Sequence, residues 1–240
     1  MTIYASNTRK KNLGNSLEAK MAFIERYPLF SCLSPEEKMQ LANQMEHREK
    51  IRYGFVYETG ESSEVLYLLA EGAIKIGATS HDGKEVIKAL IHPLAMFGEL
   101  GLVGEVRRQE FAQAMKEEVV LFAVKVEDFR RLMRQNFELC NRVMLYLGAR
   151  LSLAEQKMES LIFKDARTRI VDFIKDSVSD RGQRVGYEML LRHSLTHQDI
   201  ANITCTSRQT VTLVLNELRK SDLIYFNRGK ILVRDLARLM

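Results

Sequence analysis

Two tetrads led by hydroxyl residues have starts ten positions apart, Thr196-His197-Gln198-Asp199 and Thr206-Ser207-Arg208-Gln209. A hydroxyl followed three residues later by a carboxylate or amide is the spacing that caps a helix start. The first helix has room for about residues 197–203 and the second for about 207–220. A short helix, a tight turn and a longer helix form the arrangement that lays a second helix in the major groove of DNA. At the start of that helix, Arg208 can donate two bonds to guanine O6 and N7, and the Gln209 amide can serve adenine N6 and N7. Gln209 also suits the closing of a capping box with Thr206, and both readings stand. Thr196, Ser207 and Thr212 are candidates for phosphate contacts. Val211, Val214, Leu215 and Leu218 fall on the core face. Beyond them, Leu223-Ile224-Tyr225-Phe226, the turn Asn227-Arg228-Gly229 and Lys230-Ile231-Leu232-Val233 read as a hairpin wing. Arg228 and Lys230 on it are either further phosphate contacts or solvated turn charges.

The charge distribution points the same way. The chain of 240 residues has a formal net charge of +5. Residues 166–240 carry 13 Lys and Arg against 8 Asp and Glu, so the whole excess lies in the last third. A basic segment joined to a neutral one suits a polyanionic partner.

Ahead of this segment, a long helix is expected over about 127–163. Within it Cys140, Met144, Leu147, Leu151, Ala154, Met158 and Leu161 recur at alternating spacings of four and three. This is an a/d seam over three heptads, which predicts a parallel dimer; the alternative is a core helix within one chain. Residues 51–125 read differently. Eight of the 13 glycines fall between Gly54 and Gly104, and they separate short apolar runs such as Val65-Leu66-Tyr67-Leu68-Leu69 and Val119-Val120-Leu121-Phe122. His81-Asp82-Gly83 carries a hairpin signal. Short strands with glycine turns predict a compact β-barrel or sandwich. Ser34-Pro35-Glu36-Glu37 starts a helix before it. Residues 166–178 form another helix, ended by Ser179-Asp180-Arg181-Gly182.

Other classes are disfavoured. Hydrophobic residues make up 46% and charged residues 28%, a globular profile. There is no apolar run of membrane-spanning length, and the first residues are polar without a signal-peptide core. The three cysteines, Cys32, Cys140 and Cys205, are too few and too scattered for a disulfide framework or a four-thiolate cluster, so a reduced, cytoplasmic protein is expected. His193 and His197 stand four apart with no third ligand nearby, and they read as helix-end polar residues, with no metal site. No phosphate-binding loop, metal triad or nucleophile elbow is present, and no catalytic residues are assigned.

The order β-roll, long helix, winged helix-turn-helix resembles the Crp/Fnr family, that of the catabolite activator protein and the fumarate–nitrate regulator. The resemblance covers about residues 25–235. It is carried by Phe97-Gly98-Glu99-Leu100-Gly101-Leu102, by Leu195-Thr196-His197-Gln198-Asp199-Ile200-Ala201 and by Thr206-Ser207-Arg208-Gln209-Thr210-Val211. It implies an α+β fold: a cyclic-nucleotide-binding-like β-roll at 17–126, a dimerisation helix at 127–165 and a winged helix-turn-helix at 166–240; the polar residues 1–16 ahead of it are expected to be a mobile segment. It implies a homodimeric, non-enzymatic transcription regulator that binds a pseudo-palindromic operator in double-stranded DNA, with RNA polymerase as a further partner and no membrane. Arg208 matches the family's base-reading arginine. Gln209 stands where the catabolite activator has a glutamate, and Leu213 replaces a further arginine.

The resemblance also locates a ligand site at Gly98, Glu99, Leu100, Arg108, Gln109 and Arg150. Glu99 resembles the glutamate that holds the ribose hydroxyl and Arg108 the arginine that neutralises the cyclic phosphate. Where the family has Ser or Thr followed by Ala, this chain has Gln109 and Glu110, and the Thr-Ser pair that meets the adenine becomes Ala154-Glu155. A carboxylate at the phosphate position opposes an anionic ligand. The effector is therefore expected to be absent or other than cyclic AMP, with no cofactor, and Glu99 and Arg108 are expected to pair with each other. The competing function is a nucleotide-sensing module that acts on a protein partner.

Overall fold

The computed structural model describes residues 15–239. Its contacts divide them into two units. The first holds the residues up to Ala78 together with Ala89–Arg150, and the second holds Thr79–Lys88 with the residues from Leu151 onward.

In the first unit, α1 (Leu17–Arg26) is capped by Ser16, whose hydroxyl accepts from the Ala19 amide, and a 3-10 turn follows at Pro28–Phe30. Ser16 belongs to the segment expected to be mobile and is instead a helix cap; residues 1–14 lie outside the described residues. Helix α2 (Pro35–Gln44) starts on the expected capping box of Ser34 and Glu37. The strands are β1 (Glu46–Lys50), β2 (Phe55–Tyr57), β3 (Val65–Glu71), β4 (Ile74–Thr79), β5 (Glu85–Ile91), β6 (Ala95–Phe97), β7 (Phe111–Ala114) and β8 (Val119–Lys125), of which Thr79 and Glu85–Lys88 are counted in the second unit. They form two four-stranded sheets, ordered β1-β8-β3-β6 and β2-β7-β4-β5.

Period-two alternation makes the first sheet double-sided. Leu66 and Leu68 of β3 join Phe122 and Val124 of β8 in a cluster with Phe23, Phe30, Leu41 and Phe129 from the helices. Tyr67 and Leu69 face the other way, with Leu121, Ile74, Ile76, Phe97 and Ala112 between the sheets.

The helix expected over 127–163 is two helices, α3 (Val126–Gln135) and α4 (Phe137–Phe163). Asn136 separates them with φ −124° and ψ 99°. Its Oδ1 accepts from the Leu139 amide at 2.9 Å, and its Nδ2 donates to the Glu37 carboxylate at 2.9 and 3.1 Å. An asparagine carries no strong breaker signal in sequence, but here it caps the second helix and ties it to α2.

In the second unit, α5 (Ala166–Arg181) is capped by Asp165 and runs three residues past its expected end. Strands β9 (Gln183–Val185) and β10 (Glu188–Arg192) follow, then α6 (His197–Thr204), α7 (Arg208–Lys220), β11 (Ile224–Asn227) and β12 (Lys230–Val233). The sheet order is β11-β12-β10-β9. Its core gathers Ile170, Ile174 and Val178 of α5 with Ile200, Val211, Leu215, Leu218, Ile224 and Val233.

Candidate nucleic-acid interface and candidate ligand site

Helix α6 begins on a complete capping box: Thr196 Oγ1 accepts from the Asp199 amide at 3.0 Å, and Asp199 accepts from the Thr196 amide at 2.8 Å. It ends on Cys205, which adopts φ 50° and ψ 53°. The Thr206 amide then donates back to the Ala201 carbonyl at 3.0 Å. Thr206 therefore belongs to the turn, and the cap of α7 is Ser207, whose Oγ accepts from the Thr210 amide at 3.0 Å. This moves the expected start by one residue and leaves Gln209 outside the cap, since the third position is Thr210. Arg169 of α5 fastens the turn by donating to the carbonyls of Thr204 at 2.9 Å and Cys205 at 3.3 Å. Sequence reading gave Arg169 no such role, because the partner carbonyls lie more than thirty residues away.

Helix α7 has two faces with a helical period. Val211, Val214, Leu215 and Leu218 are buried. Arg208, Gln209, Thr212, Leu213 and Asn216 line one open concavity on the other side. Among the described residues no salt bridge holds Arg208, Arg228 or Lys230. Arg228 and Lys230 are exposed at the β11–β12 turn, where Gly229 takes φ 77° and its carbonyl accepts from the His193 amide at 2.9 Å. The hydroxyls of Thr196, Ser207 and Thr212 are each engaged within the protein, in the two caps and in a bond from Thr212 to the Arg208 carbonyl. Among the described residues no group of three or more metal-ligating side chains forms, and His193 and His197 each hydrogen-bond locally.

The residues at the expected ligand site lie in the first unit. Gly98 sits at φ 71° and leads the 3-10 turn Glu99–Val103. Arg108 is 1% exposed. Its Nη1 donates to the Gly98 carbonyl at 3.0 Å, its Nη2 donates to the Val65 carbonyl, and its guanidinium lies 4.3 Å from the Tyr57 ring centroid; among the described residues Nε has no hydrogen-bond partner. The expected Glu99–Arg108 pair does not form. Glu99 pairs with Arg150 of α4 at 3.0 Å, and the carboxylate beside Arg108 is Glu105, at 3.7 Å. The shorter reach decides the partner: Arg108 is aimed at backbone carbonyls, whereas Arg150 projects from α4 toward the turn. Burial pushes the Glu99 carboxyl above its ordinary value, with Arg150 opposing. Burial likewise pushes the Tyr57 phenol up, helped by the Glu110, Glu99 and Glu105 carboxylates against Arg108. Leu100 is exposed, and exposed Gln109 bonds to Glu105 and the Arg107 carbonyl. Tyr57 and Glu105 adjoin Arg108, and Tyr146, whose hydroxyl donates to the Met96 carbonyl, adjoins the Glu99–Arg150 pair; none of the three had a motif to reveal it.

Residues 54–136 match the cyclic nucleotide-binding domain and residues 168–240 the Crp-like helix-turn-helix domain. The global nitrogen regulator of Synechococcus elongatus is 31% identical over 179 residues, covering 74% of this chain and 81% of that protein. The chain belongs to the Crp/Fnr family of bacterial transcription regulators. Like other Crp/Fnr proteins it is a DNA-binding transcription regulator and not an enzyme. The cyclic AMP receptor protein of Thermus thermophilus is 29% identical, over 88% of this chain and 94% of that one. FixK2 from Bradyrhizobium japonicum shares the fold at a TM-score of 0.73 and 20% identity, over 81% of this chain and 95% of that chain. The Crp/Fnr assignment bears out the expected α+β order of β-roll, long helix and winged helix-turn-helix. No helix among the described residues is long and apolar enough to cross a membrane.

Proposed function

We propose that this Crp/Fnr regulator reads a pseudo-palindromic operator as a homodimer and does so without cyclic AMP. The observation that carries the effector reading is the internal use of Arg108. Its two terminal nitrogens are spent on the Gly98 and Val65 carbonyls, and its cation faces Tyr57. The carboxylates of Glu105, Glu110 and Glu99 share this surrounding with Arg108. A cyclic phosphate would have to displace Arg108 from backbone acceptors and sit among these acids, which opposes an anion. This cluster therefore does not suit cyclic AMP, although Gly98, Glu99, Arg108 and Arg150 lie at the matching positions. The names of the relatives span a nitrogen regulator and a cyclic AMP receptor, so family membership alone does not set the effector.

The dimer reading rests on the outer face of α4. Met144, Leu151, Met158 and Leu161 are exposed apolar side chains at heptad spacing, with the small Ala154 between them. A second copy of the same helix is the partner that an a/d seam fits. Cys140 and Leu147 are half-buried, and Leu147 packs on the helical core of its own chain. Two-fold symmetry then presents two α7 helices to half-sites about one helical turn apart. A cytoplasmic location and RNA polymerase as a further partner follow from this activity in a bacterial cell.

Calorimetry with cyclic AMP and with cyclic GMP, alongside sedimentation of the purified protein, tests the reading. A dimer that releases no binding heat is expected. A monomer, or micromolar cyclic AMP binding that Arg108→Ala removes, would contradict it.

A further inference from the structure

His197 stands at the first position of α6 with its ring against the DNA-reading helix. Its Nδ1 lies 2.9 Å from Thr212 Oγ1, and its ring centroid is 6.0 Å from that of Phe226 on β11. The Thr212 hydroxyl has a single hydrogen, which is donated to the Arg208 carbonyl at 2.9 Å. With its hydrogen on that carbonyl, Thr212 offers His197 only lone pairs, and we assign the hydrogen of the contact to Nδ1. The neutral ring is therefore the Nδ1–H tautomer, with a bare lone pair on Nε2.

This arrangement has a consequence for DNA. In a helix-turn-helix the first helix crosses the phosphate backbone. Phosphate oxygens only accept hydrogen bonds, and the one N–H of neutral His197 is already spent on Thr212. A proton added at Nε2 supplies both the missing donor and a positive charge. We propose that His197 is a proton-linked phosphate contact, taking up a proton at Nε2 when the protein binds DNA. The proposal rests on the reading of α6 and α7 as the DNA-binding pair.

The charged and titratable neighbours fit this linkage. Burial holds the His197 imidazole below the ordinary histidine value, and Arg208, the charged group of α7 that acts on it, adds to this. From β11 the ring meets Phe226, over which the Arg219 guanidinium lies at 5.2 Å. His193, between β10 and α6, couples to His197 and is itself depressed, chiefly by burial, with Arg181 adding to it. On its own helix, Asp199 is bonded to Thr196. Free His197 is thus neutral at neutral pH, and a phosphate raises its proton affinity. DNA affinity then grows as pH falls from the bound-state value through the depressed free-state value, and is flat beyond both.

Anisotropy titration of a mixed-sequence duplex about three helical turns long, at fixed salt, tests this. Between about pH 8 and about pH 6, wild-type affinity should rise by about tenfold or more. His197→Gln, which keeps a side-chain donor for Thr212, should lose that rise, and His193→Gln should retain it. Nitrogen NMR of the imidazoles near neutral pH gives a second readout: His197 should be the Nδ1–H tautomer in free protein and an imidazolium in the complex. A pH rise that persists in His197→Gln, or a ring that stays neutral on DNA, overturns the proposal while leaving the DNA-binding reading intact. No binding at either pH overturns both.

Discussion

Glu99 and Arg150 form a 3.0 Å ion pair that fastens the 3-10 turn after β6 to helix α4. The Tyr146 hydroxyl adds a second tie one turn earlier, to the Met96 carbonyl. The turn and the helix are thus joined through the protein's own side chains, with the Glu99 carboxylate 5% exposed and the Arg150 side chain 27% exposed.

Arg150→Ala should leave the Glu99 carboxylate buried without its cation, at a cost of about 3 kcal/mol near pH 7. The sign with pH follows from the raised carboxyl. In the window between its unfolded and folded values, the folded state holds the proton more tightly, so stability falls as pH rises. Loss of Arg150 extends that window upward. Urea unfolding should therefore show a larger deficit for the variant near neutral pH than in acid, below the ordinary carboxylate range.

Leu151→Glu should yield a folded monomer. Leu151 is 62% exposed, so a charge there harms the seam while sparing the core. Leu147→Glu is the poorer test, because that side chain packs on the core of its own chain and its loss unfolds as well as dissociates. Sedimentation together with thermal melting separates the two effects, and operator affinity should collapse in Leu151→Glu as the two half-sites uncouple.

Arg208→Ala should cost about 1–3 kcal/mol of base discrimination at each half-site. Gln209→Glu should shift one position from adenine toward cytosine and leave the Arg208 guanine in place. If Arg228 touches only phosphate, Arg228→Ala should weaken all sequences alike and lower the salt slope by about one per subunit. Binding-site selection on the wild type and the two helix variants checks the first two claims; identical selected sites would show that α7 does not read bases. A salt titration checks the third.

Gly101→Ala should destabilise the first unit. A Cβ at Gly101 would run into the Ser63 carbonyl and come within 2.9 Å of Val126 Cγ2. Backbone cannot yield as a flexible side chain does, so a loss of about 3 kcal/mol is expected in chemical denaturation. Part of the Phe97–Leu102 motif is therefore explained by packing alone.

The two faces of α7 were legible because a helix repeats every 3.6 residues, so the buried and outward sets sort by spacing alone. The hairpin wing was legible from its Asn-Arg-Gly turn between apolar runs. The sequence Glu46-His47-Arg48-Glu49-Lys50 has no apolar alternation, and β1 exists only because β8 supplies its pairing partner. Strand β6 is three residues long, too short for a period. The choice of Arg150 over Arg108 as the partner of Glu99 is a tertiary fact, as is the reach of His197 to Thr212 across the turn. Spacing along the chain indicates which residues share an element, and the packing of elements then decides which of them meet.

The most direct test of the account is the affinity of wild-type protein for its own selected operator, with and without cyclic AMP. Binding at about 10 nM or tighter, unchanged by the nucleotide, is the predicted result. Operator binding that appears only with cyclic AMP, and disappears in Arg108→Ala, would contradict it.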